Sequence, residues 1–228
     1  MLSSTSRVPN LPDGTIALTY DDGPGPHSVD LARFLNERRV KATFFVVGRF
    51  IRERPGVISQ LQNLGHAVGN HTDTHEVLPR LVNSVDVLER EVIRAHKEIE
   101  TWSGRAPHLF RAPGGCWSEA VADVLNRVPE LQAYSGPFGW DIEVADYEIG
   151  QPRHLTPGNP IHTLENCQAE YLRRIREKRR GVVLLHDWSA DPAGPFGDRL
   201  RANNRTLELT KWLVPQIQDF KFVRLDEI

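Results

Sequence analysis

Thr15-Ile16-Ala17-Leu18-Thr19-Tyr20-Asp21-Asp22-Gly23-Pro24 decides how this chain is read. Thr15 to Leu18 is a short apolar run that predicts a buried strand. Two adjacent carboxylates stand where that strand ends, and Gly23-Pro24-Gly25-Pro26 turns the chain sharply away. Like charges side by side are unfavourable unless something positive sits beside them. Successive strand side chains point to opposite faces, so Asp21 and Asp22 are expected to take different jobs. One would bind a metal ion and the other would take a proton from that metal's water. A polar turn with an Asx-type cap before a helix at His27 accounts for the same residues without chemistry. The rest of the sequence separates the two readings.

Working outward, strands and helices alternate. Ser28 to Arg38 predicts a helix, and Lys41-Ala42-Thr43-Phe44-Phe45-Val46-Val47 a strand buried on both faces. Val57 to Leu64 is helical and stops at Gly65, and His66 to Asn70 is a short strand feeding His71. Asn83 to Trp102 carries Val85, Leu88, Val92, Ala95, Ile99 and Trp102 at helical spacing, ended by Ser103-Gly104. Leu109-Phe110 predicts a brief strand, and Ser118 N-caps a helix to Val128. Leu131 to Tyr134 and Phe138 to Ile142 are strand candidates, 150–158 a loop, and Glu165 to Lys178 a helix. Val182-Val183-Leu184-Leu185 is another buried strand, followed by a helix from Asn204 to Ile217 and a last strand from Phe220 to Leu225.

This alternation predicts an α/β fold with a parallel sheet and outer helices, near a (β/α) barrel of about seven strands. Residues 1–14 precede it as an extension, and 15–228 form one domain. Ligands of such folds bind beyond the C-terminal ends of the strands. Asp21-Asp22, His71, Arg111, Asp141 or Asp146, and His186 all fall just after predicted strands.

With 228 residues the chain has room for a substantial core. A formal net charge of -2 suggests neither a nucleic-acid nor a polybasic membrane binder. The basic cluster Arg173-Arg174 and Lys178-Arg179-Arg180 sits toward a helix C-terminus, where cations are favourable. Cys116 and Cys167 form no Cys-x-x-Cys motif, so a thiolate zinc site is not expected; their pairing stays open. No apolar run reaches the ~18 residues of a membrane span. Met1 to Asn10 is polar and unlike a secretory signal. That predicts a cytoplasmic protein as the chain stands, or a secreted one with its targeting segment removed.

His71-Thr72-Asp73-Thr74-His75 sets two imidazoles four residues apart, which on a helical turn would share one face and one ion. Such pairs also arise by chance on exposed helices. Joined by Asp22, they make the two-histidine, one-carboxylate set of catalytic zinc sites and some iron sites. His186 is either a satisfied strand cap or a general acid at the mouth of the site. Arg111 is either a surface residue or a forked partner that holds the charge of Asp21.

Together these stretches resemble the polysaccharide deacetylase family, carbohydrate esterase family 4. Thr19-Tyr20-Asp21-Asp22-Gly23 resembles its first motif, with tyrosine where phenylalanine is usual. His71 to His75 is similar to the second, Arg111-Ala112-Pro113-Gly114-Gly115 to the third, and Leu184-Leu185-His186 to the fifth. Glu143-Val144-Ala145-Asp146-Tyr147 resembles the fourth, where aspartate first and tryptophan last are usual. Gly114 also lacks the bulky side chain often found at its place.

The resemblance implies a distorted (β/α) barrel and a metal-dependent hydrolase of N-acetyl groups on amino sugars such as chitin, chitooligosaccharide or peptidoglycan. It implies that Asp22, His71 and His75 bind the metal, commonly zinc, with cobalt or iron also compatible with such donors. It makes Asp21 the general base, held by Arg111, and His186 the general acid, oriented by Asp146. The Gly114 amide would face the oxyanion and Leu184 the acetyl methyl, with Tyr147 and Trp117 lining the pocket. The alternatives are an O-acetyl xylan esterase, a non-sugar amidase, or a catalytically silent sugar-binding module on the same fold. A phosphoesterase lacks support, because no phosphate-cradling glycine loop is present.

Overall fold

The computed structural model describes residues 1–150, 163–189 and 204–228. Strand β1 (Thr15–Gly23) is buried along its whole length. Its apolar residues face helices on one side and the interior on the other, as a strand covered on both faces requires. It pairs in parallel with β2 (Ala42–Val46) and β4 (Gly181–His186), and β2 pairs in parallel with β3 (Ala67–Asn70). The order is β3-β2-β1-β4, and the short β5 (Lys221–Phe222) lies beside the start of β1.

Regular strands therefore number five among the described residues, not the expected seven. Leu109-Phe110 and Phe138 to Ile142 contribute isolated bridges: Asn70 to Phe110, Leu109 to Ser135, and Ile142 to Val183. These carry the pairing from β3 round to β4 without a continuous hydrogen-bonded ladder. Leu131 to Tyr134 is not a strand, because Pro129 opens a 3-10 turn over Pro129–Leu131 and Gly136-Pro137 interrupts the backbone donors that a ladder needs. From residue 151 onward, the loop expected over 150–158 lies outside the described residues.

Helices α1 (Ser28–Glu37), α2 (Gly48–Glu53) and α3 (Val57–Asn63) follow β1 and β2. The long α4 (Val85–Ser103) ends at Gly104, whose φ of 68° is the left-handed C-terminal conformation glycine adopts readily. Helix α5 (Glu119–Leu125) is N-capped by Ser118, which accepts from the Val121 N–H. Helices α6 (Leu164–Lys178) and α7 (Thr206–Gln216) complete the layer. Leu31, Leu35, Tyr171, Ile175, Leu209 and Leu213 pack against Ile16, Leu18, Val183 and Leu185 in the main core. A second cluster under α4 and α5 includes Leu2, Leu88, Val92, Phe110 and Leu125. Residues before β1 thus join the core: the Leu2 N–H donates to Asn126 at 2.9 Å, and Asn126 donates back to the Leu2 carbonyl at 2.9 Å. Cys116 is exposed and Cys167 buried, and both are free thiols. No described helix is long and apolar enough to cross a membrane.

Candidate active site

Asp21 and Asp22 lie inside the last residues of β1 rather than beyond its end. The register against β2 slips between Tyr20 and Gly23, and Asp22 has a φ of 68°. This irregularity breaks the alternation of the pleat. The expectation that the two carboxylates point to opposite faces is therefore corrected: both reach the same imidazole. Asp21 Oδ2 is 3.7 Å and Asp22 Oδ1 3.4 Å from His71 Nε2.

Residues 71–75 do not form a helical turn either. Thr72 and His75 have φ of 67° and 71°, left-handed values that an L-residue adopts only when its surroundings impose them. The Thr72 N–H donates to Asn70 Oδ1 at 2.8 Å, and the His75 N–H to Thr72 Oγ1 at 3.1 Å. The two histidines meet through this looped backbone, with ring centroids 5.0 Å apart. His71 Nδ1 is 2.8 Å from the Arg111 carbonyl, which can only accept, so Nδ1 carries the proton and Nε2 keeps its lone pair toward the carboxylates. His75 Nε2 lies 3.2 Å from Asp22 Oδ1. One ligand atom from each of Asp22, His71 and His75 falls within 4.8 Å of the others. Two imidazole nitrogens and a carboxylate oxygen, convergent, with Asp22 and His71 buried and His75 partly so, fit a first-row divalent cation. Burial opposes the charge of Asp22, but His75 and His71 beside it hold its carboxyl well below the usual carboxylate range.

Arg111 is fully buried. Its guanidinium donates to Asp21 Oδ1 at 2.9 Å and Thr19 Oγ1 at 2.7 Å, and to the carbonyls of Phe138 at 3.0 Å and Gly139 at 3.1 Å. Burial draws its pKa down from the ordinary arginine value, against the pull of Asp21. On the opposite wall His186 Nδ1 is 2.7 Å from Asp146 Oδ1. Asp146 Oδ2 accepts from the His186 N–H at 2.8 Å and Thr206 Oγ1 at 2.9 Å, so the carboxylate is anchored to two elements. Burial alone would lower the pKa of His186; the charge and hydrogen bond of Asp146, aided by Asp22 and Asp21, push it up to about 10.

Asp21, Asp22, His71, His75 and His186 line one cavity of about 350 Å³, with Arg111 and Asp146 behind its wall. Gly114, Tyr147 and Leu184 line it too, and the Tyr147 ring stands edge-on to His186 at 5.0 Å. Trp117 does not. Its indole N–H donates to the Ser3 carbonyl at 2.9 Å and its ring packs on Phe110, so it closes the second core instead. Asp141, the alternative to Asp146, accepts from the Val182 N–H at 2.9 Å and from Lys178, and serves the β4 edge. Trp140, Glu143 and Ser189 complete the lining. Trp140 and Ser189 were not singled out from the sequence, and Glu143 only as a departure from the fourth motif. The Trp140 indole N–H donates to Glu143 at 2.8 Å, and a Cβ on Gly115 would come within 2.9 Å of the Trp140 ring. A tryptophan just before the Asp-x-Glu stretch was the available signal.

The sequence profile of the family described as polysaccharide deacetylase matches residues 9–130, more than half of the chain. The chain belongs to the polysaccharide deacetylase family. It is 32% identical over 207 residues to a chitooligosaccharide deacetylase of Azorhizobium caulinodans, covering 90% of this chain and 88% of that protein. It is 27% identical over 227 residues to a peptidoglycan-N-acetylglucosamine deacetylase of Bacillus cereus, covering 98% and 92%. Among solved structures it resembles the catalytic domain of a peptidoglycan N-acetylglucosamine deacetylase from Eubacterium rectale, with a TM-score of 0.69, 21% identity, and 97% and 93% of the two chains covered. That likeness establishes the parallel-sheet α/β fold of this polysaccharide deacetylase family member.

Proposed function

We propose that the protein is a metal-dependent hydrolase that removes N-acetyl groups from N-acetylglucosamine-containing glycans, chitooligosaccharide or peptidoglycan, and releases acetate. The observation that carries this reading is the placement of Asp21, fixed by buried Arg111, beside the Asp22-His71-His75 set and across the cavity from His186. Those three residues would hold a divalent cation, zinc foremost, which when bound polarises the acetamide carbonyl and acidifies water.

Asp21 then takes the proton of the attacking water, and Arg111 keeps that carboxylate oriented. The water oxygen bonds to the acyl carbon, and the Gly114 amide donates toward the developing oxyanion, an interaction worth ~3 kcal/mol where preorganised. His186 gives its proton to the leaving nitrogen as the C–N bond breaks, and Asp146 holds the imidazole at Nδ1 so that Nε2 delivers it. Acetate and a free amino sugar leave. Leu184 supplies the apolar contact for the acetyl methyl.

The test is acetate release by the zinc-loaded protein from chitooligosaccharides, peptidoglycan fragments and acetylated xylan, followed by mass spectrometry. Loss of acetyl groups from the first or second is expected. Release from xylan alone would replace an amidase with an esterase, and release from none would leave a silent binding module.

A further inference from the structure

Glu91 is out of place in α4. The helix buries Leu88, Val92, Ala95 and Ile99 on one stripe, and Glu91 lies on that stripe as a buried carboxylate. A charge on the apolar face of a helix is costly unless it is fully hydrogen-bonded. Glu91 meets that demand at Thr74: Oε2 accepts from the Thr74 N–H at 2.9 Å, and Oε1 accepts from Thr74 Oγ1 at 2.8 Å.

Thr74 directly precedes His75, whose backbone is left-handed and whose N–H donates to Thr72 Oγ1 at 3.1 Å, while the carbonyls of Thr72 and Asp73 accept from the N–H groups of Gly48 and Arg49 at the start of α2. His71 is held differently, by the Val46 carbonyl on its N–H and the Arg111 carbonyl on its ring. Asp73, between them, is tied to Arg52 of α2 at 2.7 Å and lies 3.9 Å from Arg94 of α4. Thr74, joined directly to the second histidine, thus takes its position from Glu91 on α4, and Thr72 holds the His75 N–H from the other side.

We infer that Glu91 is a positioning residue for the cation site, acting through Thr74 on His75 and not on His71. It touches neither the cation site nor the cavity, so its effect is on ligand geometry. This rests on the reading of Asp22, His71 and His75 as cation ligands. Outer partners of metal ligands typically change metal affinity 10–100-fold when removed.

The probe is zinc, titrated into the full chain in competition with a chromophoric chelator. Glu91→Ala is expected to weaken zinc binding about 10–100-fold, and the isosteric Glu91→Gln to recover most of it, since the amide still meets both Thr74 groups. A double-mutant cycle separates positioning from general damage. Combined with His75→Ala, Glu91→Ala should cost no further affinity; combined with His71→Ala, it should still cost its full share. Equal additivity with both histidines, or wild-type affinity in Glu91→Ala, overturns the inference. If Glu91→Ala does not fold, Glu91→Asp, which shortens the reach by one methylene, takes its place in both cycles under the same criteria. A wild-type chain that binds no zinc overturns the cation site itself, and this inference with it.

Discussion

His186 and Asp146 form a buried ion pair, 2.7 Å between Nδ1 and Oδ1, that places an imidazolium at the cavity wall. Because the folded pKa of His186 lies near 10, above its ordinary 6.5, the pair contributes stability fully below about 6.5 and loses it as pH rises through about 10. A dication at Asp22 acts in the opposite sense and brings that upper limit down. Asp146→Asn removes the largest opposing charge and leaves burial opposed only by Asp22 and Asp21. The alkaline limb of kcat is expected to move to lower pH, with kcat down ~10²–10⁴-fold if the general acid is lost. A pH–rate profile with an unmoved limb would contradict the assignment.

Arg111 bonds four acceptors from a fully buried position. A lysine has the charge but not the planar fork, and cannot meet all four. Arg111→Lys should therefore lower stability and activity together. Arg111→Ala, which strands buried Asp21, should cost ~3–5 kcal/mol. Denaturant unfolding of both variants measures this, and losses under ~1 kcal/mol would show that Arg111 is not what holds Asp21.

Asp21→Asn removes the proposed proton acceptor and leaves the other carboxylate and both histidines in place. Turnover is expected to fall by at least ~10²-fold with zinc content unchanged. Wild-type turnover in this variant would assign the base elsewhere.

Gly23→Ala tests the floor of β1. A Cβ there would collide with Asp187 Oδ2. Asp187 is buried, bonded by Ser28, and raised to about 6 by burial against the hydrogen bonds of Ser28 and Gly25. Withdrawing Oδ2 from that Cβ would break its hydrogen bond with Ser28. Overpacking of this kind costs ~1–3 kcal/mol, at ~2–4 °C per kcal/mol for a chain this size. A thermal melt that matches wild type would show that Asp187 moves freely.

Much of this was legible in the sequence because apolar runs and punctuating glycines fix where strands end, and strand ends are where α/β folds place ligands. Asp21, Asp22, His71, Arg111 and His186 stand at such ends; Asp141 and Asp146 both do, and only the likeness to the fourth family motif selects Asp146. The bulge at Asp22 was not legible, since one left-handed residue in a strand leaves no periodic trace. Neither was the irregular loop at Thr72 to His75: an i, i+4 histidine pair predicts a helical turn, and the tertiary contacts of Asn70 and Glu91 override it. Trp117 was misplaced because a tryptophan beside a motif signals pocket and core equally; only its bond to Ser3 decides. The two segments that pair as isolated bridges were too short and too broken by proline and glycine to be read as anything but strands or loops.

Zinc content per chain, measured by elemental analysis after dialysis, tests the grouping of Asp22, His71 and His75 most directly. About one zinc is expected in the wild type and in Asp21→Asn, and close to none retained through dialysis in each of Asp22→Ala, His71→Ala and His75→Ala, whose weakened affinity is read only by titration. Alanine variants that keep wild-type zinc would contradict it.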